Sequence, residues 1–249
     1  MKNIKTITIG DLHGLDCWKN FADIKQLLSG SSTTPKYNFY IFEGDYVDSF
    51  TMLNDDIREN LMELIRFKTL YPDNVILLWG NHDVEYWKNL PWLKKEIFMT
   101  GFRPEVHYEL YEIFNMNVRL FQLAFQVENY LWTHAGVHAG WYNHVFIKAI
   151  KETGINIDNM TVAEELNEAF LHRLPCIFHN DFRRGGLNKV GGPLWCSKEL
   201  SYKKPLKNYH QIVGHTATKD IQIFKINDNT SITFCDILGT TQEALEIIL

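Results

Sequence analysis

Lys5-Thr6-Ile7-Thr8-Ile9-Gly10-Asp11-Leu12-His13-Gly14 runs from a β-branched, alternating stretch straight into a turn that carries a carboxylate and an imidazole. Further along, the same grammar returns: Gly44-Asp45-Tyr46-Val47-Asp48 follows the apolar run Tyr37 to Phe42, and Gly80-Asn81-His82-Asp83 follows Val75 to Trp79. Thr133-His134-Ala135-Gly136 and Gly214-His215-Thr216 complete the set. Each apolar run reads as a strand, so the polar groups fall on tight turns at strand ends, where side chains from distant parts of a chain converge. The glycines beside them permit sharp turns and close backbone approach, because they lack a Cβ.

Carboxylate, imidazole and amide donors together suit divalent cations. Two such ions roughly 3.5–4 Å apart can hold a bridging hydroxide and clamp a phosphate between them. Asp11 and His13 are assigned to a first metal, Asp45 to the bridge, and Asn81, His134 and His215 to a second. Manganese is the expected ion, and iron, zinc, nickel or cobalt suit the same donors.

The order and content of the blocks, from Ile7 to Thr216, resemble the calcineurin-like metallophosphoesterases, and within them the branch of the Ser/Thr protein phosphatases and symmetrical diadenosine tetraphosphatases. That resemblance implies an α/β fold of mixed α+β character, in which two stacked mixed sheets are flanked by helices in a four-layer sandwich. It also implies a two-metal-dependent phosphoester hydrolase, read first as a phosphomonoesterase with a metal-bridging hydroxide as nucleophile. A dinucleoside polyphosphate hydrolase or phosphodiesterase is the alternative, and a non-catalytic binding scaffold ranks below both. By position, Asp48 matches the family's carboxylate that orients a histidine, and His82 matches that histidine. Such a pair can protonate a leaving alkoxide, the carboxylate fixing the tautomer and raising the imidazole's basicity.

The departures from the family pattern carry information of their own. Ser49 and Phe50 stand where the protein phosphatases carry arginine and glycine, which removes a bidentate phosphate contact from its usual place. Asp83 replaces the usual glutamate, and Ala217 stands where many phosphodiesterases of the superfamily have a second histidine. Arg184, with Arg183 as second choice, is the expected substitute substrate contact. Both lie in a glycine-rich segment that precedes Gly191-Gly192-Pro193-Leu194-Trp195, a stretch similar to one in bacterial family members.

The 249 residues are expected to form a single domain, with helical insertions near 84–117 and 142–174. A net charge of −5 and a pI near 6.1 disfavour long duplex nucleic acid as a partner. A phosphorylated protein or a small phosphorylated or nucleotide substrate is expected instead. Cys17, Cys176, Cys196 and Cys235 show no paired metal spacing and no disulfide framework. The chain enters a strand at once, with no secretory leader or membrane span visible, so a cytoplasmic location is expected.

Trp18, Phe21, Ile24, Leu27 and Leu28 recur at helical spacing, as do the apolar residues between Leu53 and Leu70. Ile221 to Ile248 reads as consecutive strands that include Ile232, Phe234 and Ile237. Between the third and fourth blocks, Trp87, Trp92, Phe98, Phe102, Tyr108, Tyr111 and Phe114 form an aromatic-rich stretch divided by Pro91 and Pro104. Its rings serve either as core or as a platform on which a base stacks.

Overall fold

Strands β1 (Lys5–Ile9), β2 (Phe39–Phe42), β3 (Val75–Leu78) and β4 (Phe121–Gln122) pair in parallel, and the antiparallel β10 (Leu245–Ile248) closes the far edge beside β1. The second sheet has the order β5 (Ala124–Val127), β6 (Tyr130–Thr133), β7 (His210–Val213), β9 (Thr230–Phe234) and β8 (Gln222–Asn227). Its three central strands are parallel and its two edges antiparallel. The computed structural model describes residues 3–49, 51–87 and 101–249.

Parallel pairing decides where the chemistry goes. β1, β2 and β3 point the same way in close register, Ile9 beside Phe42 and Phe42 beside Leu77, so the first three blocks leave the sheet at one edge. β6, β7 and β9 deliver His134, His215 and Asp236 in the same manner, with Trp132 beside Ile212 and Ile212 beside Thr233. Crevices outside the carboxyl ends of parallel strands are where such folds bind ligands.

The sheets stack face to face. Ile41, Ile76 and Leu78 of the first meet Trp132 and Ile212 of the second in a buried cluster, and Phe39 packs edge-on against Phe125 at 4.8 Å. Trp132 donates its indole N–H to Thr8 Oγ1 across the interface at 3.0 Å. The other face of the first sheet, through Ile7, Ile9, Tyr40, Phe42, Val75 and Leu77, is covered by α1 (Ala22–Ser29) and α2 (Asn54–Leu70). The apolar stripe of α2, at Ile57, Leu61, Leu64 and Ile65, turns inward as its 3.6-residue period requires. Two mixed sheets flanked by helices are the architecture that the resemblance implies.

Local differences from the sequence reading have physical causes. The helical spacing from Trp18 to Leu28 is split into a 3-10 turn, Cys17–Asn20, and α1, because Phe21 adopts an extended conformation between them. Trp18 nevertheless reaches the core and donates its indole N–H to Asn60 at 2.9 Å. Ile237 leaves the strand pattern and starts the short helix Leu238–Thr241. The stretch 142–174 forms a π-helical turn, Tyr142–Phe146, followed by helices Ile147–Thr153 and Val162–Leu171, the latter opened by a complete Thr161–Glu164 capping box. All four cysteines are free thiols, three of them buried. No helix among the described residues is long and apolar enough to cross a membrane.

The side-chain hydrogen bond between the stacked faces generates a stability test. Trp132→Phe leaves the buried Thr8 hydroxyl without its donor and is expected to cost about 2–3 kcal/mol in denaturant titration, from one orphaned polar group and some lost ring volume. Combined with Thr8→Val the loss should be less than the sum; strict additivity would show that the bond does not couple the sheets.

Candidate functional site

Asp45 stands at the centre of the converging turns. It occupies the left-handed region at φ 50°, after Gly44 at φ 97°, and this tight bend presses the second block against the third. A Cβ on Gly44 would lie 2.4 Å from the Gly80 nitrogen, and one on Gly80 would lie 2.1 Å from the Asp45 nitrogen, so glycine is required on both sides of the approach. The Asp45 carbonyl accepts from the His13 N–H at 2.7 Å, and Asp45 Oδ1 accepts from the His82 N–H at 2.9 Å. Asp83 completes the knot by accepting from the Tyr46 and Gly80 amides at 2.8 and 2.9 Å. The shorter acid at the third block therefore ties the second and third turns together.

With one oxygen held by backbone, Asp45 Oδ2 faces three imidazoles: His134 Nε2 at 3.4 Å, His13 Nε2 at 3.9 Å and His82 Nε2 at 4.0 Å. Two groups of donor atoms, each within 4.8 Å of one another, result: His13, Asp45 and His82, and Asp45, His134 and His215. Asp45 belongs to both. Asn81 Oδ1 lies 2.7 Å from His134 Nε2, which is also 3.0 Å from His215 Nδ1. Asp11 is buried between the halves and accepts from the His215 N–H at 3.0 and 3.1 Å.

Backbone contacts set which ring nitrogens face the cluster. His13 Nδ1 donates to the carbonyls of Val47 and Asp48 at 3.1 and 3.0 Å, and His134 Nδ1 donates to the Glu43 carbonyl at 2.7 Å. Each is left with an Nε2 lone pair turned inward, which is how a ligating imidazole is held. Lone pairs of His134, His215 and Asn81 so close together repel unless a proton or a cation lies among them, and His215 Nε2 is buried with no hydrogen-bond partner. The donor set and its spacing fit divalent metal ions.

The electrostatics carry the same signature. Burial pushes Asp11 up to about 7, with the Asp45 charge adding to the shift, and burial likewise pushes Asp83 up to about 7. Burial opposes charge on His134, but the Asp45 and Asp11 carboxylates outweigh it and hold the imidazole up at about 10. His215 is driven well below its ordinary value, first by burial and then by the neighbouring His134 and Arg184 charges.

Beside this cluster, His82 Nδ1 donates to Asp48 Oδ2 at 2.8 Å. Burial lowers the basicity of His82, yet Asp45 and Asp48 hold it at about 9. Arg184 donates to Thr216 Oγ1 at 2.5 Å and to the His215 carbonyl at 3.5 Å, which seats its guanidinium against the fifth block. Arg183 lies apart from the cluster, exposed, with its guanidinium 4.5 Å from the centre of the Phe182 ring. Ser49 Oγ accepts from the Thr51 and Met52 amides at 3.3 and 3.2 Å, so this side chain closes its own turn.

Two buried acids escaped the sequence reading. Glu43 has both carboxylate oxygens without partners and is raised well above its ordinary value by burial. Asp236, just past β9, is pushed up to about 8 by burial and by the Asp11 charge. Both sit at strand ends after apolar runs, the signal that marked the other turns. Three histidines outside the blocks have local partners: His138 caps Ala139–Trp141, His172 meets Glu168 at 3.0 Å, and His210 meets Ser231 at 2.8 Å.

The described rings of the aromatic stretch are mostly packed. Trp87 stacks on Phe170 at 5.1 Å, Phe114 lies 5.3 Å from Trp79, and Phe102 stacks on Tyr86 at 4.8 Å, while Tyr108 is exposed. Phe50, Pro91, Trp92 and Phe98 lie outside the described residues.

Comparison with known proteins adds a family. Residues 4–220 match the family model described as calcineurin-like phosphoesterase. The chain is 31% identical over 138 residues to serine/threonine-protein phosphatase C23G10.1 of Caenorhabditis elegans, a match covering 55% of this chain and 27% of the relative. It is 30% identical over 118 residues to serine/threonine-protein phosphatase 5 of Homo sapiens, covering 46% of this chain and 20% of that one. The matches thus span about a quarter or less of these relatives. Among solved structures, the cold-active protein-tyrosine phosphatase of a psychrophilic Shewanella superposes with a TM-score of 0.54 at 15% identity, covering 98% of this chain and 75% of that one. A point mutant of a cold-active protein tyrosine phosphatase gives 0.57 at 17% identity, with the same coverage. At such identities the likeness is one of fold.

The protonation pattern generates a test of metal binding. A raised histidine stabilises the folded chain fully below the unfolded value of 6.5, and that contribution is lost as pH rises through about 10. Metal-free protein should therefore lose stability across this window, whereas an ion takes neutral His134 and gains affinity as the proton leaves. His215, depressed instead, is neutral throughout the window and adds no slope. The Tm gap between metal-loaded and EDTA-treated protein is expected to widen from about pH 6.5 to about pH 9.5; a gap that stays constant or narrows would exclude His134 as a ligand.

Proposed function

Because this chain belongs to the calcineurin-like phosphoesterases and is a phosphoester hydrolase, we propose that it is a two-metal phosphomonoesterase acting on phosphoserine or phosphothreonine, or on small phosphorylated compounds. The observation that carries this reading is the sharing of Asp45 between two donor groups, His13–Asp45–His82 and Asp45–His134–His215, with Asp48 hydrogen-bonded to His82. In this reading Asp11, His13 and Asp45 hold one divalent ion, and Asp45, Asn81, His134 and His215 hold the other. Manganese is the working assignment. When bound, the ions supply the activated nucleophile and neutralise charge on the phosphoryl oxygens.

The chain's own residues do the rest. Asp48 fixes the His82 ring so that Nε2 faces the cluster, and His82 gives its proton to the leaving alkoxide. In this reading Arg184, held against the fifth block by Thr216, grips a phosphoryl oxygen. The alternative of dinucleoside polyphosphate hydrolysis needs a surface for a base. Trp87, Phe102 and Phe114 are committed to packing, which leaves it without support from those rings.

Two variants separate the roles. Asp45→Asn removes a full ligand charge from the shared position and should abolish both turnover and stoichiometric binding of two metals, read by mass spectrometry. His82→Asn should retain both ions while losing roughly 10²–10⁴ in turnover on an alkyl phosphate, and far less on p-nitrophenyl phosphate, whose leaving group needs little protonation. Loss of metal in His82→Asn, or equal losses on both esters, would refute the assignment. A panel of phosphopeptide, bis(p-nitrophenyl) phosphate and diadenosine tetraphosphate distinguishes monoesterase from its alternatives.

A further inference from the structure

The carboxylate of Asp48 is buried, and its two oxygens serve different partners. Oδ2 accepts from His82 Nδ1 at 2.8 Å, while Oδ1 accepts from the phenol of Tyr86, four residues beyond His82 on the short helix α3 (Asn81–Trp87). Tyr86 is itself fully buried, and its phenol is raised further by burial and the adjacent carboxylate, so it keeps its proton and acts as the donor. The phenolic oxygen in turn accepts from the Arg103 N–H at 2.9 Å. Phe102 stacks on the Tyr86 ring at 4.8 Å with 22° between planes, and His107 lies 5.9 Å away on a tilted plane, so the ring cannot swing.

Arg103 holds a second part of the same assembly. Its guanidinium donates to the carbonyls of Ser49 and Met52, the latter at 2.8 Å, and to Asn54 Oδ1. One residue thus anchors Tyr86 through its backbone and the turn that follows Asp48 through its side chain. Asp48 sits at φ 61°, a conformation that a non-glycine residue keeps only where its surroundings hold it.

We infer that Tyr86 is a positioning residue for the Asp48–His82 pair, orienting the carboxylate by the Tyr86–Asp48 hydrogen bond, and that Arg103 sets this bond. A carboxylate with both oxygens engaged has one plane available to it, and the imidazole that hydrogen-bonds to it inherits that orientation. Without the phenol, Oδ1 is a buried charged acceptor with no donor. The carboxylate then either rotates, and His82 loses its orientation toward the leaving group, or it leans its full charge on His82, which then gives up its proton less readily. This rests on the phosphatase reading and on His82 as the proton donor within it.

The experiment compares wild type, Tyr86→Phe, His82→Asn and the double variant, each with bound metal counted. On an alkyl phosphate Tyr86→Phe is expected to lose roughly 10–100-fold in kcat, while kcat on p-nitrophenyl phosphate changes by less than about 3-fold and two metals remain. The double variant should be no slower than His82→Asn on the alkyl ester, because the two act through one proton. Wild-type rates in Tyr86→Phe, equal losses on both esters, or additive losses in the double variant overturn the inference. Should Tyr86→Phe fail to fold, 3-fluorotyrosine at position 86 keeps the ring and its packing while making the phenol a stronger donor. A several-fold change on the alkyl ester alone supports the role, and no change overturns it. Wild-type protein inactive on both esters would instead overturn the phosphatase reading, and this inference with it.

Discussion

The structure depends on crowding buried acids and imidazole lone pairs around the ends of its parallel strands. Asp11, Glu43, Asp45, Asp48, Asp83 and Asp236 are all buried around the ends of the parallel strands, and His134 and His215 point ring nitrogens at one another from 3.0 Å. Burying an unpaired carboxylate is costly enough that such a group ordinarily takes up a proton, and Asp11, Asp83 and Asp236 are raised accordingly. Doubly charged ions among these groups reverse that logic, since each stabilises the ionised carboxylate and the neutral imidazole together. The fold is therefore arranged around cations, and the flanking sheets supply the rigidity that holds like charges close.

That rigidity is visible in the backbone. His13, Asp45, Asp48 and His215 all adopt positive φ, each costing on the order of 1–3 kcal/mol for a residue with a side chain. Strain of this size persists because neighbouring contacts leave no alternative. His13 is pinned through its amide to Asp45, His215 through its amide to Asp11, and the Asp83 carboxylate clamps the turns of blocks two and three. A more relaxed backbone at any of these positions would point the functional side chain elsewhere. Local stability is given up so that the side chains meet.

Much of this was legible because it is local. A strand ending in glycine beside a carboxylate or histidine is a short pattern, and parallel pairing then brings such turns to one edge without further information from the sequence. The same logic applied to Phe234-Cys235-Asp236 and to Phe42-Glu43 would have drawn attention to Asp236 and Glu43; no glycine follows Asp236, and Glu43 reads as the last residue of its strand. The choice between Arg183 and Arg184 was open for a different reason. Both lie in the 3-10 turn Phe182–Arg184, where successive residues are rotated by about 120°, so only one of two neighbours can face the fifth block. Which one does so depends on the docking of the whole turn, through Asp181 and Asn180, onto the segment that follows it. Helical spacing around Trp18 misled because side-chain burial repeats at that period whether or not the backbone is continuous through Phe21.

The missing arginine after the second block acquires a meaning from this geometry. A guanidinium does lie at that turn, but it comes from Arg103 and is occupied with the carbonyls of Ser49 and Met52 and with Asn54. An arginine at position 49 would give up the Ser49 Oγ contacts to the Thr51 and Met52 amides. The chain thus commits its guanidinium beside Asp48 to holding a turn, and the cationic side chain seated against the opposite block is that of Arg184. In the proposed reading, grip on a phosphoryl group and alignment of the proton donor fall to different arginines. Arg184 sits over the fifth block, whereas Arg103 reaches the Asp48–His82 pair through its N–H bond to Tyr86 and its hold on the turn after Asp48, so the two proposed roles rest on separate contacts.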